Sequence, residues 1–243
     1  MKARVISVLA LILAFAVIIY GCYRVYSEYQ FWVFCVYFVA VICGVPLCCV
    51  LHEAGHMLFG ACVKIKATPK FTSLRKFMGA ASCEIKPETG KNLKGKIIFT
   101  AIGGLFVNFV FVVLGVIAFC VPAVPVYLSA FAGGSLYLFI LNALPLNLYY
   151  GKTDGLVICE LIKNEDTAKV MIAVLTIQAQ VLNGKPFEKL DEKLLFDLPQ
   201  LPEDDINFIS LTQLRYEYFN ARGDSEQAEK YLRRFEELKK EYM

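Results

Sequence analysis

Polar and apolar positions along this chain sort into whole segments rather than single helical turns. Residues 5 to 22 are almost wholly apolar and follow Lys2 and Arg4. That length is near the lower limit for a membrane-spanning helix, and it predicts an uncleaved first span. Residues 31 to 63 form a second apolar run, longer than a bilayer needs, so tilt or a kink near Pro46 is expected. A third run covers about Ile97 to Val121 and a fourth about Val126 to Leu146, and neither carries a charged residue. Pro122 and Pro125 mark the short break between them. The expected fold is therefore an all-α polytopic membrane protein with about four transmembrane helices.

The polar stretches complete this picture. Residues 64 to 96 hold Lys64, Lys66, Lys70, Arg75, Lys76, Lys86, Lys91, Lys94 and Lys96 against Glu84 and Glu88. Positive charge between spans favours the cytoplasmic side, which puts this loop and both termini inside. Short alternating pieces, Val63 to Lys66 and Ser82 to Lys86, predict a small β element at the membrane surface around Gly79. After the fourth span, apolar helical pieces are expected to about Lys163 and from Glu165 to Leu182. Pro202 to Asn220 and Ser225 to Tyr242 then read as a cytoplasmic helical hairpin, split by Arg222, Gly223 and Asp224. Three regions result: an anchor over 1–30, a core over 31–163 and a helical C-terminal region over 164–243.

Composition agrees with the pattern. The chain of 243 residues is 57% hydrophobic, with mean hydropathy +0.53, well above the soluble average. No basic run interleaved with aromatics is present, which argues against nucleic acid as a partner. The lipid bilayer is the expected surroundings. The nine cysteines are scattered without a CxxC pair and read as buried thiols.

The candidate chemistry lies in the second run, at His52-Glu53-Ala54-Gly55-His56. These are the only two histidines of the chain, and Glu53 is the only acid between Phe31 and Val63. A spacing of four puts both imidazoles on one helix face, where both can reach one metal ion. Glu53 borders that face and can reach a water on the metal. Ionisable groups at membrane depth are costly, and they mark function. A hydrolytic zinc site takes three protein ligands, so one more is needed. Asp154 is the first acid after the fourth span, on the same side as the motif. Glu84 and Glu88 lie at the spacing of soluble proteases, and Cys48, one turn before His52, is a minor candidate. Asp154 also suits the cap of a helix over 155–163.

The motif in a span, then Gly103-Gly104 before Asn108, then Asn142-Ala143-Leu144-Pro145 and Asp154-Gly155, resembles the site-2 protease family of intramembrane zinc metalloproteases. The resemblance covers about residues 31 to 163. It implies His52, His56 and Asp154 as zinc ligands, Glu53 as catalytic acid and base, and a role for Asn142 near substrate or intermediate. The implied substrate is a transmembrane segment of another protein. Two features depart from the family pattern. Tyr149 to Lys152 lengthen the usual compact Asn-to-Asp stretch, and Leu105 stands where a proline often follows the glycine. The loops are too short for an inserted peptide-binding domain, so substrate choice is expected to rest on the spans, the basic loop or the C-terminal helices, and those helices are also the candidate surface for a protein partner. The topology and compact chain point to a bacterial plasma membrane. Two other readings stand beside this one: a membrane-anchored zinc protease acting on soluble peptides through Glu84 or Glu88, and a non-catalytic membrane scaffold.

Overall fold

The structure is a computed structural model, and it describes residues 2–70, 82–121, 123–148 and 151–242. It is mostly helical with small sheets. Helices α1 (Lys2–Glu28), α2 (Phe31–Cys62) and α3 (Leu93–Cys120) are each long and apolar enough to cross a membrane. A fourth such segment runs over Val126–Ala143. Large apolar side chains face outward along these helices, among them Leu9, Ile12, Phe38, Ile42 and Phe106. An exposed apolar surface of that extent suits lipid rather than water.

Helix α1 runs past the expected 5–22 at both ends, and two further spans differ from expectation in ways that chain chemistry explains. Helix α3 starts at Leu93, four residues before the apolar run, after Asn92 at φ 52°. Lys94 and Lys96 thus sit in its first turn, where long stems can carry their charge away from the apolar body. The fourth segment opens as a 3-10 helix (Val126–Phe131) and continues as α4 (Ala132–Ala143). At about 2.0 Å and 1.5 Å per residue the two pieces reach roughly 30 Å, enough to cross a hydrocarbon core with only 18 residues. Helix α2 runs on through Pro46.

The loop after α2 contains β1 (Ile65–Lys70) and β2 (Ser82–Pro87), which pair in a two-stranded sheet. The expected turn at Gly79 lies outside the described residues. After α4 the chain forms a small antiparallel hairpin, β3 (Asn147–Leu148) against β4 (Gly151–Lys152), and then α5 (Asp154–Lys163).

The chain divides into two compact units. The first comprises Met1–Val63, Ala67–Glu84 and Ile98–Ile158. Within it α1 packs on α4, and α2 packs on α1, α4 and the 3-10 segment. Val25, Val33, Tyr37, Val41 and Ala130 form one buried cluster. Helices α2 and α3 cross where Gly55 meets Gly103 backbone to backbone, so a Cβ on either would overlap the other's carbonyl. This contact brings α3 close enough to touch the histidine rings of α2.

The second unit comprises Lys64–Lys66, Ile85–Ile97 and Cys159–Met243. It contains α6 (Asp166–Leu182), a 3-10 turn (Phe187–Lys189), the single-turn α7 (Lys193–Phe196), α8 (Ile206–Ala221) and α9 (Ser225–Tyr242). Its core joins Val170, Val174, Ile177, Leu190, Leu195, Leu201, Leu211 and Tyr218. Helix α8 begins at Ile206 rather than Pro202. The Asp205 side chain accepts from the Asn207 amide at 2.8 Å, which satisfies an otherwise unpaired first-turn donor.

Candidate metal centre

Among the described residues, one group of side chains could hold a metal ion: His52, His56 and Asp154. All three lie in the first unit. Helical spacing sets the imidazoles one turn apart on α2, with ring centroids 4.7 Å apart and planes nearly perpendicular. His52 Nε2 lies 3.2 Å from His56 Nε2. Asp154 Oδ2 lies 3.2 Å from His52 Nε2, and Asp154 Oδ1 lies 3.4 Å from His56 Nε2. Both histidines are buried, and Asp154 is mostly so. Although close to His52, Asp154 Oδ2 makes no hydrogen bond and is buried. Two ring nitrogens and two carboxylate oxygens converging in a mostly buried place repel one another unless a proton or a cation lies between them. The donor set therefore fits a metal ion.

The far side of each ring is held by α3. His56 Nδ1 donates to the Thr100 carbonyl oxygen at 2.9 Å. A carbonyl can only accept, so His56 Nδ1 carries a proton and Nε2 is the ring atom left to face Asp154 and a metal ion. His52 Nδ1 lies 2.8 Å from Asn108 Nδ2. Gly104 lies between these contacts. A Cβ there would stand 2.6 Å from His56 Cε1 and Nε2 and 2.7 Å from His52 Cε1. Only a residue without a side chain lets α3 lie against both rings.

Asp154 follows directly on the β3–β4 hairpin, which folds the segment after α4 back on itself. Thr153, at the base of that hairpin, gathers the two ends. Its hydroxyl donates to the Leu144 carbonyl oxygen at 2.6 Å and accepts from the Leu146 amide at 3.1 Å. Its own amide donates to the Leu146 carbonyl oxygen at 3.1 Å. The same hydroxyl accepts from the Leu156 amide at 3.3 Å. Thr153, not Asp154, is therefore the cap of α5, and the Asp154 carboxylate is left for the histidines.

Glu53 is 4% exposed, and its Oε2 is buried without a partner. Its carboxylate interacts with the thiol of Cys83 on β2. Burial, followed by the nearby charges of Glu53 and Asp154, pushes the Cys83 thiol up to about 12, so it remains a donor. Asn142 lies in the last turn of α4 and donates its amide back to the Leu138 carbonyl oxygen at 3.0 Å. Neither Glu84 nor Glu88 belongs to the metal-competent group. Cys48 is also outside it: its thiol accepts from Ser135 Oγ at 3.3 Å and points to the Phe131 carbonyl oxygen at 3.5 Å.

Sequence reasoning missed Cys83, Asn108, Thr100 and Thr153 as neighbours of the site. Asn108 carried a partial signal as a polar residue in an apolar span, and it was expected at a helix interface. The comparisons add no relative: neither a family model, nor a curated protein, nor a solved structure matches this chain.

Proposed function

We propose that this chain is an intramembrane zinc metalloprotease of the site-2 protease kind, hydrolysing a peptide bond within or near a transmembrane segment of another membrane protein. One observation carries the reading. A partnerless buried carboxylate oxygen, Glu53 Oε2, belongs to the residue next to His52, itself one corner of the His52–His56–Asp154 group. A scaffold has no physical use for such an atom at that depth.

The donor set favours zinc. Two imidazoles and a carboxylate are the ligand types zinc takes at hydrolytic sites, whereas calcium and magnesium select all-oxygen sets. The two Nε2 atoms lie 3.2 Å apart, with one Asp154 oxygen 3.2 Å from His52 Nε2 and the other 3.4 Å from His56 Nε2, so all three residues could share one ion. Bound there, zinc would supply Lewis acidity that acidifies a water and polarises a carbonyl. Glu53 Oε2 would be the group that takes a proton from a water held there and passes it to the leaving amine. Thr100 and Asn108 keep the two rings turned toward the site, and Gly104 gives them room.

A spanning helix must unwind to expose a peptide bond, and its freed backbone groups then need partners. Strands β1 and β2 can offer a backbone edge, and Asn142 can meet the same segment by exchanging its bond to Leu138. The basic loop sets the motif near the cytoplasmic face, and the compact four-span chain suits a bacterial plasma membrane. The C-terminal helices are the surface for a protein partner.

Zinc content of the purified chain tests the site. Asp154→Ala should lose the metal, while Glu84→Ala and Glu88→Ala keep it. The opposite result would transfer the reading to a membrane-anchored protease using a loop glutamate. Cells carrying Glu53→Gln should accumulate a membrane protein that wild-type cells remove. A cellular role unaffected by Glu53→Gln would leave only a scaffold.

A further inference from the structure

Helices α1 and α3 both meet the start of α4. Gly133 of α4 lies against Ile18 and the Ala14 carbonyl oxygen of α1, where a Cβ would stand 2.5 and 2.9 Å from them. One residue earlier, Ala132 lies against Gly115 of α3. Beside these contacts is a crevice of about 320 Å³ lined by all three helices. Ala16 and Val17 of α1, Val112 and Val116 of α3, and Ala132 and Leu136 of α4 make its apolar walls. Tyr20 and Phe119 complete the lining and meet edge to face, with ring centroids 5.3 Å apart.

Arg24 lies one helical turn beyond Tyr20. Its Nη1 donates to the Phe119 carbonyl oxygen, which holds the guanidinium at the Tyr20–Phe119 end of the crevice. Its Nε and Nη2 donate to Glu28 Oε1 and Oε2 at 2.7 and 2.6 Å. These bonds leave further N–H groups on Arg24 and further lone pairs on Glu28. Both side chains are partly exposed. Arg24 and Glu28 are the only charged residues between Val5 and Leu51, and none lies between Ile97 and Gly151. The pair is therefore the only charge at the end of α2 away from the basic loop. Tyr23, Tyr26, Tyr29 and Trp32 are exposed around it, the amphipathic aromatics that settle at a membrane–water boundary.

Size and charge select an occupant. A helix about 10 Å wide that rises 1.5 Å per residue fills roughly 120 Å³ per residue, so the crevice would take fewer than three residues of one. A single hydrocarbon chain fits such a space and asks only for apolar walls. A cation beside an anion at its end matches a head group that also carries both. We propose that the crevice binds a zwitterionic phospholipid, with one acyl chain among α1, α3 and α4, its phosphate on Arg24 and its primary ammonium on Glu28. The inference rests on the four segments lying in a bilayer and is independent of the metal centre.

The test uses the full chain in detergent, stripped of lipid, with bound lipid counted by native mass spectrometry. The probes are phosphatidylethanolamine, phosphatidylglycerol and diacylglycerol with the same acyl chains. Phosphatidylethanolamine should bind about tenfold more tightly than diacylglycerol, which lacks both charges, and more tightly than phosphatidylglycerol, which lacks the ammonium. Arg24→Gln should bring it down to the level of diacylglycerol, and Glu28→Gln should erase its advantage over phosphatidylglycerol. Ala16→Phe fills the crevice and should weaken all three. The lipid comparison on wild type needs no variant to fold. If wild type holds phosphatidylethanolamine no more tightly than the other two lipids, or Ala16→Phe binds it like wild type, the inference fails. A dimer that Ala16→Phe disrupts would also overturn it, giving the crevice to a second copy of the chain. Zinc content reads the metal centre separately, so that reading stands or falls apart from this one.

Discussion

Thr153 Oγ1 lies 2.6 Å from the Leu144 carbonyl oxygen, and with the bonds of Thr153 to Leu146 this contact closes the stretch that carries Asp154. It lies below the β3–β4 hairpin, so the hairpin is an excursion and not a spacer. Thr153 is 3% exposed, and Thr153→Val would remove the hydroxyl that links the Leu144 carbonyl oxygen to the Leu146 and Leu156 amides. Losing a hydrogen bond of this kind costs about 0.5–1.5 kcal/mol. The expected result is weaker zinc retention from a chain that still folds, read as metal content after dialysis against a mild chelator. Replacing Tyr149-Tyr150 with Asn-Gly, a sequence suited to a two-residue hairpin turn, should leave metal content unchanged. Metal loss in that second variant would mean that the hairpin itself holds Asp154.

Gly104 governs the other wall of the site. A methyl group there would meet His56 Cε1 and Nε2 at 2.6 Å and His52 Cε1 at 2.7 Å, less than any real Cβ contact allows. Either the rings turn or α3 withdraws, and both break the bonds to Thr100 and Asn108. Gly104→Ala should therefore lower metal affinity at least tenfold, while helical content by circular dichroism stays near wild type. Wild-type affinity in this variant would show that the rings are not pressed between α2 and α3.

The site was legible in the sequence to the extent that its chemistry is local. His52, Glu53 and His56 declare themselves because helical periodicity converts a spacing of four into one face. Asp154 was legible in a weaker sense, as the first acid to emerge after the fourth span. Asn108 is 56 residues from His52, and nothing in the local pattern aligns its amide with that ring. Cys83 looked like one of many scattered thiols, since only the β2 backbone brings it to Glu53. The cap of α5 is hidden in the sequence for a related reason. Two residues side by side can both cap, and only the hairpin closure decides that Thr153 does. In the second unit, α9 fell at its expected bounds because its polar and apolar positions repeat with the helix. The turns between Pro186 and Leu201 have too few residues for a period to show.

Arg215 carries a prediction for the second unit. Its Nε donates to the Leu195 carbonyl oxygen at 2.8 Å, and its guanidinium lies over the rings of Phe196 and Tyr231 at 5.5 and 5.9 Å. Burial holds its pKa below the ordinary arginine value, with the Tyr231 ring opposing that shift in part. One side chain thus ties α7, α8 and α9 together. Arg215→Ala should destabilise this unit by roughly 1–2 kcal/mol through the lost hydrogen bond and stacking, and lysine should restore only part because it cannot stack flat. Faster amide hydrogen exchange in α8 and α9, with α2 unaffected, is the expected readout.

Glu53→Gln separates holding a metal from using it. Glu53 is not in the metal-competent group, so the variant should keep the wild-type zinc content. The glutamine is nearly the same size, and its amide can still meet Cys83 from β2, so the packing around the site should survive. What it lacks is a carboxylate that can accept a proton from water and release it to the leaving amine. Loss of a positioned acid–base group lowers rates by about 10²–10⁴-fold. Cleavage of a membrane substrate should fall by at least that factor at unchanged metal content, with the substrate accumulating in cells. A variant that lost zinc as well would make Glu53 part of the ligand sphere, and one that cleaved at the wild-type rate would move the proton transfer to another group.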